Sequence, residues 1–112
     1  MAGLGTDEVV VQIVRFETKP ERQHALIDAV SAETERWVRN CPGFISATFH
    51  ASDDGRQMLN YAMWRSHADF HAFLQHPEGP RLGEAIRATE PVSGPEGMTF
   101  RLMRTINGEG EL

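Results

Sequence analysis
Two side chains in the middle of the chain have the types and spacing to do chemistry together. Asn60 and Trp64 stand four apart in Gln57-Met58-Leu59-Asn60-Tyr61-Ala62-Met63-Trp64, a run whose composition reads as a β-strand. Alternate residues of a strand share a face, so Asn60 and Trp64 project from the same side. A core-facing amide needs partners for its carbonyl and its NH2, and an unmet one costs about 1–3 kcal/mol. An indole offers a flat apolar wall and one N–H donor. His50, in the run before, adds an imidazole, a group that can take or give a proton. Small residues on that face leave room beneath a helix layer, and room with a few convergent polar groups makes a binding pocket. The plainer reading of the same pattern is core or edge polarity, with Thr48 or a water satisfying Asn60.

Whether these groups meet depends on the hairpin that joins the two runs. Ser52-Asp53-Asp54-Gly55 is a turn signal between expected strands over 44–51 and 57–65. Gly55 suits the left-handed position of a type I turn followed by a bulge, giving a three-residue loop, 53–55, closed by Ser52 and Arg56. That register sets Thr48 opposite Asn60 and His50 opposite Met58. One face then carries Ser46, Thr48, His50, Met58, Asn60, Ala62 and Trp64, small and polar residues around one large aromatic. The other carries Ile45, Ala47, Phe49, Leu59, Tyr61 and Met63, a packing surface. A two-residue turn would slip the register and separate His50 from Asn60.

Other chemistries find little support. Cys41 sits in a turn with no obvious base, so a nucleophile is not expected there. His67 and His71 are i, i+4 on one helix face, but two ligands do not make a metal site. Gly3-x-Gly5 lacks the strand-and-helix context of a phosphate loop. With 11 basic and 16 acidic residues the net charge is −5, which argues against nucleic acid as a partner. A single cysteine forms no internal disulfide, and the longest aliphatic run, Val9-Val10-Val11, is far short of the ~20 residues of a membrane helix. The expectation is a cytoplasmic protein with no membrane partner, and 112 residues suit one domain with an ordered core over about 8–106.

The elements that must position the site follow from periodicity. Residues 1–7 read as a loose arm. Residues 8–18, rich in valine, read as a strand apolar on both faces. Pro20 suits a helix first turn, and Leu26, Ile27, Val30, Trp37 and Val38 carry helical spacing to 40, where Asn40-Cys41-Pro42-Gly43 stops it. After the hairpin, Ser66-His67-Ala68-Asp69 resembles a capping box for a short helix bearing Phe70, Phe73 and Leu74. A further helical piece is expected over 81–90, a loop over 91–96, a last strand over 97–106 and a frayed end over 107–112. The order β-α-β-β-α-β predicts an α+β, ferredoxin-like split βαβ fold, an antiparallel sheet with helices on one face. The bare face would carry large apolar residues from every strand, which predicts a homodimer.

Pro42-Gly43-Phe44-Ile45-Ser46-Ala47-Thr48 and Asn60-Tyr61-Ala62-Met63-Trp64 resemble the antibiotic biosynthesis monooxygenase family. With His50-Ala51-Ser52 at the hairpin, they look most like its anthrone oxygenases of aromatic polyketide pathways, over residues 9–106. The resemblance implies a dimeric α/β barrel, with a site between sheet and helices in each protomer. It also implies oxidation of an anthrone-type polyketide to a quinone by O2, with no flavin, haem or metal cofactor. By position it places Asn60, Trp64 and His50 at the reacting centre. Thr48, Met58, Phe70, Phe73 and Leu74 are expected around the substrate, with Arg81, or else Arg87, over the pocket. Phe70 stands where relatives can carry a tyrosine, so a tyrosine proton donor does not transfer. Two rival readings are haem degradation, which needs His67, His71 or His76 facing inward, and a non-catalytic ligand-binding or dimerisation module, favoured if Met58, Trp64 and Phe70 plug the space.

Overall fold
The computed structural model describes residues 9–89 and 92–110. The expected arm over 1–7, the first residue of the expected opening strand and the last two of the expected frayed end lie outside these. The elements are β1 (Val10–Thr18), α1 (Gln23–Arg36), β2 (Phe44–Ala51), β3 (Gln57–Trp64), α2 (His67–Leu74), α3 (Gly79–Arg87) and β4 (Val92–Arg101). The strands form one antiparallel sheet in the order β2-β3-β1-β4, which is the expected α+β ferredoxin-like arrangement.

Local chemistry explains the departures from the sequence reading. The expected helix over 20–40 is divided: Pro20–Arg22 and Val38–Asn40 are single 3-10 turns, and Trp37, at φ −140°, leaves the α region between α1 and the second turn. Ser66 caps α2 as expected, its Oγ accepting from the Asp69 N–H at 3.1 Å. α3 starts at Gly79 rather than 81, with Pro80 in its first turn. β4 begins at Val92, not 97, and ends at Arg101, not 106. A strand through Pro95 is tolerated because β4 is an edge strand and its pairing with β1 shifts register between Arg15 and Glu17, opposite the proline.

The hairpin corrects the expected register. Ser52 and Gln57, not Ser52 and Arg56, close a four-residue loop, with the Ser52 N–H donating to the Gln57 carbonyl at 3.1 Å. Asp54 Oδ1 accepts from the Ser52 hydroxyl (2.8 Å) and the Arg56 N–H (2.9 Å), which holds the extra residue in the loop. The buried Gln23 side chain donates from α1 to the carbonyls of both Ser52 (3.1 Å) and Gln57 (2.8 Å). A contact from another element thus fixes the closing pair. Asn60 now pairs with Phe49, Thr48 with Tyr61 and His50 with Leu59. One residue of slip sends Thr48 and His50 to the far face of the sheet.

The inner face, under the helices, carries Val10, Gln12, Val14 and Phe16 of β1 and Met58, Asn60, Ala62 and Trp64 of β3. Two buried clusters sit there. Val10, Trp37, Val38, Cys41, Trp64 and Phe70 form one, and Phe16, Leu26, Val30 and Met58 form the other. Among the described residues no helix packs over the outer face. That face carries Leu59, Tyr61 and Met63, with Met98 (65% exposed) and Phe100 (45%) on β4.

Candidate active site
Between the inner face and the helices lies a cavity of about 210 Å³. Gln12, Val14, Asn60, Ala62 and Trp64 form its floor, with Phe44 and Ala47 from β2. Val30, Thr34 and Val38 roof it, and Phe73, Leu74, Leu82 and Ile86 close the side. The space exists because alanines occupy paired positions, Ala47 opposite Ala62, beneath the helix layer. Past Gln12, Val14, Leu74 and Pro95 the cavity meets an open recess of about 580 Å³ along β4, bordered by Phe70, Gly97, Met98 and Thr99.

Asn60 is the unsatisfied polar group of this floor. Its strand neighbours are Val14 on one side and Phe49 on the other, and neither side chain offers a hydrogen bond. Its Oδ1 is fully buried and has no hydrogen-bond partner among the described residues. Thr48, which could have satisfied it in the expected register, lies on the other face.

Trp64 is 1% exposed and stands in an aromatic nest. Phe44 meets it edge-on at 5.3 Å between centroids, Phe73 lies at 4.8 Å and Phe70 at 6.1 Å. The indole N–H is already engaged, donating to Gln12 Oε1 at 3.2 Å. Trp64 thus lines the cavity with its ring, while its indole donor is engaged within the protein. Gln12 was missed in the sequence reading. Its signal was a lone amide at the inward phase of an otherwise apolar strand face.

Several expected site residues stand elsewhere. His50 and Thr48 are exposed on the outer face. Met58 is fully buried against Phe16, Leu26 and Val30, and is a core residue beneath the cavity rather than part of its wall. It does not plug the space. Phe70 borders the recess, while Phe73 and Leu74 line the cavity. Arg81 points outward, its Nε 3.7 Å from Glu33, and Arg87 is exposed; neither borders the cavity. No ionisable side chain among the described residues lines it.

The histidines also fail the haem geometry. His67 and His71 are exposed on α2, and His76 stacks on Trp37 at 4.5 Å while its Nδ1 accepts from the Glu78 N–H. None of the three borders the cavity. The charged groups nearest the roof form a structural clamp instead. Buried Glu33 accepts from Trp37 Nε1 (2.8 Å) and Arg36 (3.1 Å), and Arg36 also donates to Glu78 (2.8 Å). Burial pushes the Glu33 carboxyl up, but the Arg36 and Trp37 hydrogen bonds and the Arg36 and Arg81 charges outweigh it and leave it below the usual carboxylate range.

Known proteins share this architecture. The sequence pattern of the antibiotic biosynthesis monooxygenase family matches residues 9–79. The chain is 47% identical over 81 residues to tetracenomycin-F1 monooxygenase of Streptomyces glaucescens, covering 72% of this chain and 70% of that protein. The fold superposes on the monooxygenase from the gene ActVA-Orf6 of Streptomyces coelicolor, in complex with nanaomycin D, with a TM-score of 0.80 and 28% identity; the match covers 93% of this chain and 95% of that one. SnoaB, a cofactor-independent oxygenase from Streptomyces nogalater, matches with a TM-score of 0.70 at 24% identity, over 90% of this chain and 99% of that one. That last likeness is one of fold.

Proposed function
Because the chain belongs to the antibiotic biosynthesis monooxygenase family and is a monooxygenase, we propose that it oxidises an anthrone-type aromatic polyketide to a quinone with O2 and no cofactor. The observation that carries this reading is Asn60, which lines an apolar cavity and whose buried side-chain oxygen has no hydrogen-bond partner among the described residues. A protein keeps such a group at a cost of about 1–3 kcal/mol, so a ligand that satisfies it regains that much on binding. The cavity volume is below the ~300–1,000 Å³ of drug-sized pockets, so a flat ring system would enter it edge-first and extend into the recess along β4. The relatives' names, one for tetracenomycin F1 and one structure holding nanaomycin D, support a small polyketide ligand.

The chemistry needs an electron-rich substrate, because closed-shell molecules react slowly with triplet O2. Loss of one proton from the anthrone methylene gives a delocalised enolate. The enolate passes one electron to O2, and the radical and superoxide recombine to a peroxide at that carbon. Loss of the second methylene hydrogen breaks the O–O bond: one oxygen stays as the new carbonyl and the other leaves as water. The balance is one anthrone and one O2 to one quinone and one water. The Asn60 amide, with both a donor and an acceptor, holds the substrate's oxygen substituents as charge develops, and Trp64 and Phe73 flank the ring plane in a dry site. With His50 on the outer face, the substrate's own acidity starts the reaction.

The test is O2 uptake with an anthrone in chelator-treated, flavin-free buffer. Asn60→Ala is expected to lower kcat/KM roughly 10²–10³-fold. Wild-type activity in both Asn60→Ala and Trp64→Phe would remove the proposed site. The active form in this reading is a homodimer packed through the outer face of the sheet.

A further inference from the structure
The reading above has one polar contact at the cavity floor; we propose a second, resting on the same reading: Gln12 is a substrate-binding residue whose amide N–H donors, held in place by Trp64, meet an oxygen of the ring system. Gln12 stands between Val10 and Val14 on the inner face of β1, where packing alone calls for an apolar residue. It borders both the cavity and the recess, the position a ligand spanning the two must pass.

The orientation of its amide follows from its partner. An indole N–H donates and cannot accept. Trp64 Nε1 lies 3.2 Å from the side-chain oxygen of Gln12, so this contact fixes the oxygen toward the indole and leaves the NH2 as the free end. Among the described residues no acceptor takes a hydrogen bond from that NH2.

The spacing suits a flat ligand. Gln12 pairs with Ala62 and Asn60 pairs with Val14, so the two amides are diagonal neighbours on one floor. Diagonal positions on antiparallel strands stand about 7–8 Å apart. That separation lets the two side chains contact oxygens at different positions of one fused ring system. Asn60 offers an unmet acceptor and Gln12 an unmet donor, so a molecule with a hydroxyl and a carbonyl across its rings answers both. Trp64 then acts in two ways, as a wall and as the lock on Gln12.

The decisive variant is Gln12→Glu at neutral pH. It keeps an acceptor for the Trp64 indole but has no donor for the ligand. With dithranol (a dihydroxyanthrone) as substrate, Gln12→Glu is expected to lower kcat/KM roughly ten- to a hundredfold, chiefly through KM. The Trp64 indole N–H resonance should stay at its hydrogen-bonded position in Gln12→Glu and move in Gln12→Leu, with Trp37, bonded to Glu33, as the internal reference. Dissociation constants for a dihydroxyanthraquinone, measured without turnover, should weaken in both variants. Kinetics within twofold of wild type in Gln12→Glu, with the indole bond intact, would show that Gln12 only holds Trp64 and overturn the proposal. A wild-type protein that binds the quinone in a Gln12-dependent way yet consumes no O2 would overturn the oxygenase reading while supporting this one.

Discussion

Asn60 sits where its protein neighbours cannot serve it, between Val14 and Phe49 with its oxygen buried. Replacing it by the nearly isosteric leucine removes the unmet group. Asn60→Leu is therefore expected to raise unfolding stability by about 1 kcal/mol in urea titrations while oxygen uptake falls at least a hundredfold. Loss of both would mean that the amide is a structural member. His50 gives the opposite expectation. It lies exposed on the outer face and no ionisable side chain among the described residues lines the cavity. His50→Ala should leave kcat/KM within about threefold, a change of well under 1 kcal/mol in the barrier. The rising limb of the pH–rate profile should move with the acidity of the anthrone used. A limb fixed near pH ~6.5 whatever the substrate would point to a histidine base.

At the scale of elements, two devices hold the floor and roof in place. Gly43, at φ +83°, starts β2 against the first turn of α2, and a Cβ there would fall 2.2 Å from Asp69 Oδ2. Gly43→Ala combines left-handed strain with a collision at the α2 cap, and about 2 kcal/mol or more of destabilisation is expected by chemical denaturation. The second device is the Glu33 clamp joining α1 to Trp37 and, through Arg36, to Glu78. Glu33 is held ionised below the usual carboxylate range; Glu78 is likewise lowered, chiefly by the Arg36 hydrogen bond. A depressed folded-state pKa gives stability that is present above the unfolded value of about 4.3 and is lost as pH falls through the folded value. Melting temperatures should drop below pH ~4, and less steeply in Glu33→Gln, which keeps an acceptor for the indole but has no charge to lose. Parallel curves for the two proteins would remove Glu33 from the acid transition.

At the scale of the whole molecule, no helix among the described residues packs on the outer face of the sheet. Met98 and Phe100 on β4 continue the apolar surface of Leu59, Tyr61 and Met63. An apolar sheet face of this kind is what a second copy covers in a symmetric dimer. Phe100→Glu is expected to convert a dimer into a monomer in sedimentation experiments; a wild-type monomer at micromolar concentration would remove the dimer from the proposed active form. Among the described residues no helix is long and apolar enough to cross a membrane.

The strand-and-helix order, the inward phase of β3 and the pairing of Asn60 with Trp64 on one face were all legible in the sequence, because a period of two or of 3.6 is a local property of the chain. The side of the sheet that β2 gives to the cavity was not. It turned on a single loop residue, and that residue was retained by Asp54 within the turn and by Gln23 reaching across from α1. Gln12 was hidden for the same reason: its partner, Trp64, is 52 residues away in sequence. Sequence periodicity assigns a side chain to a face, but hydrogen bonds between distant elements set the register, and the register decides which groups share a cavity.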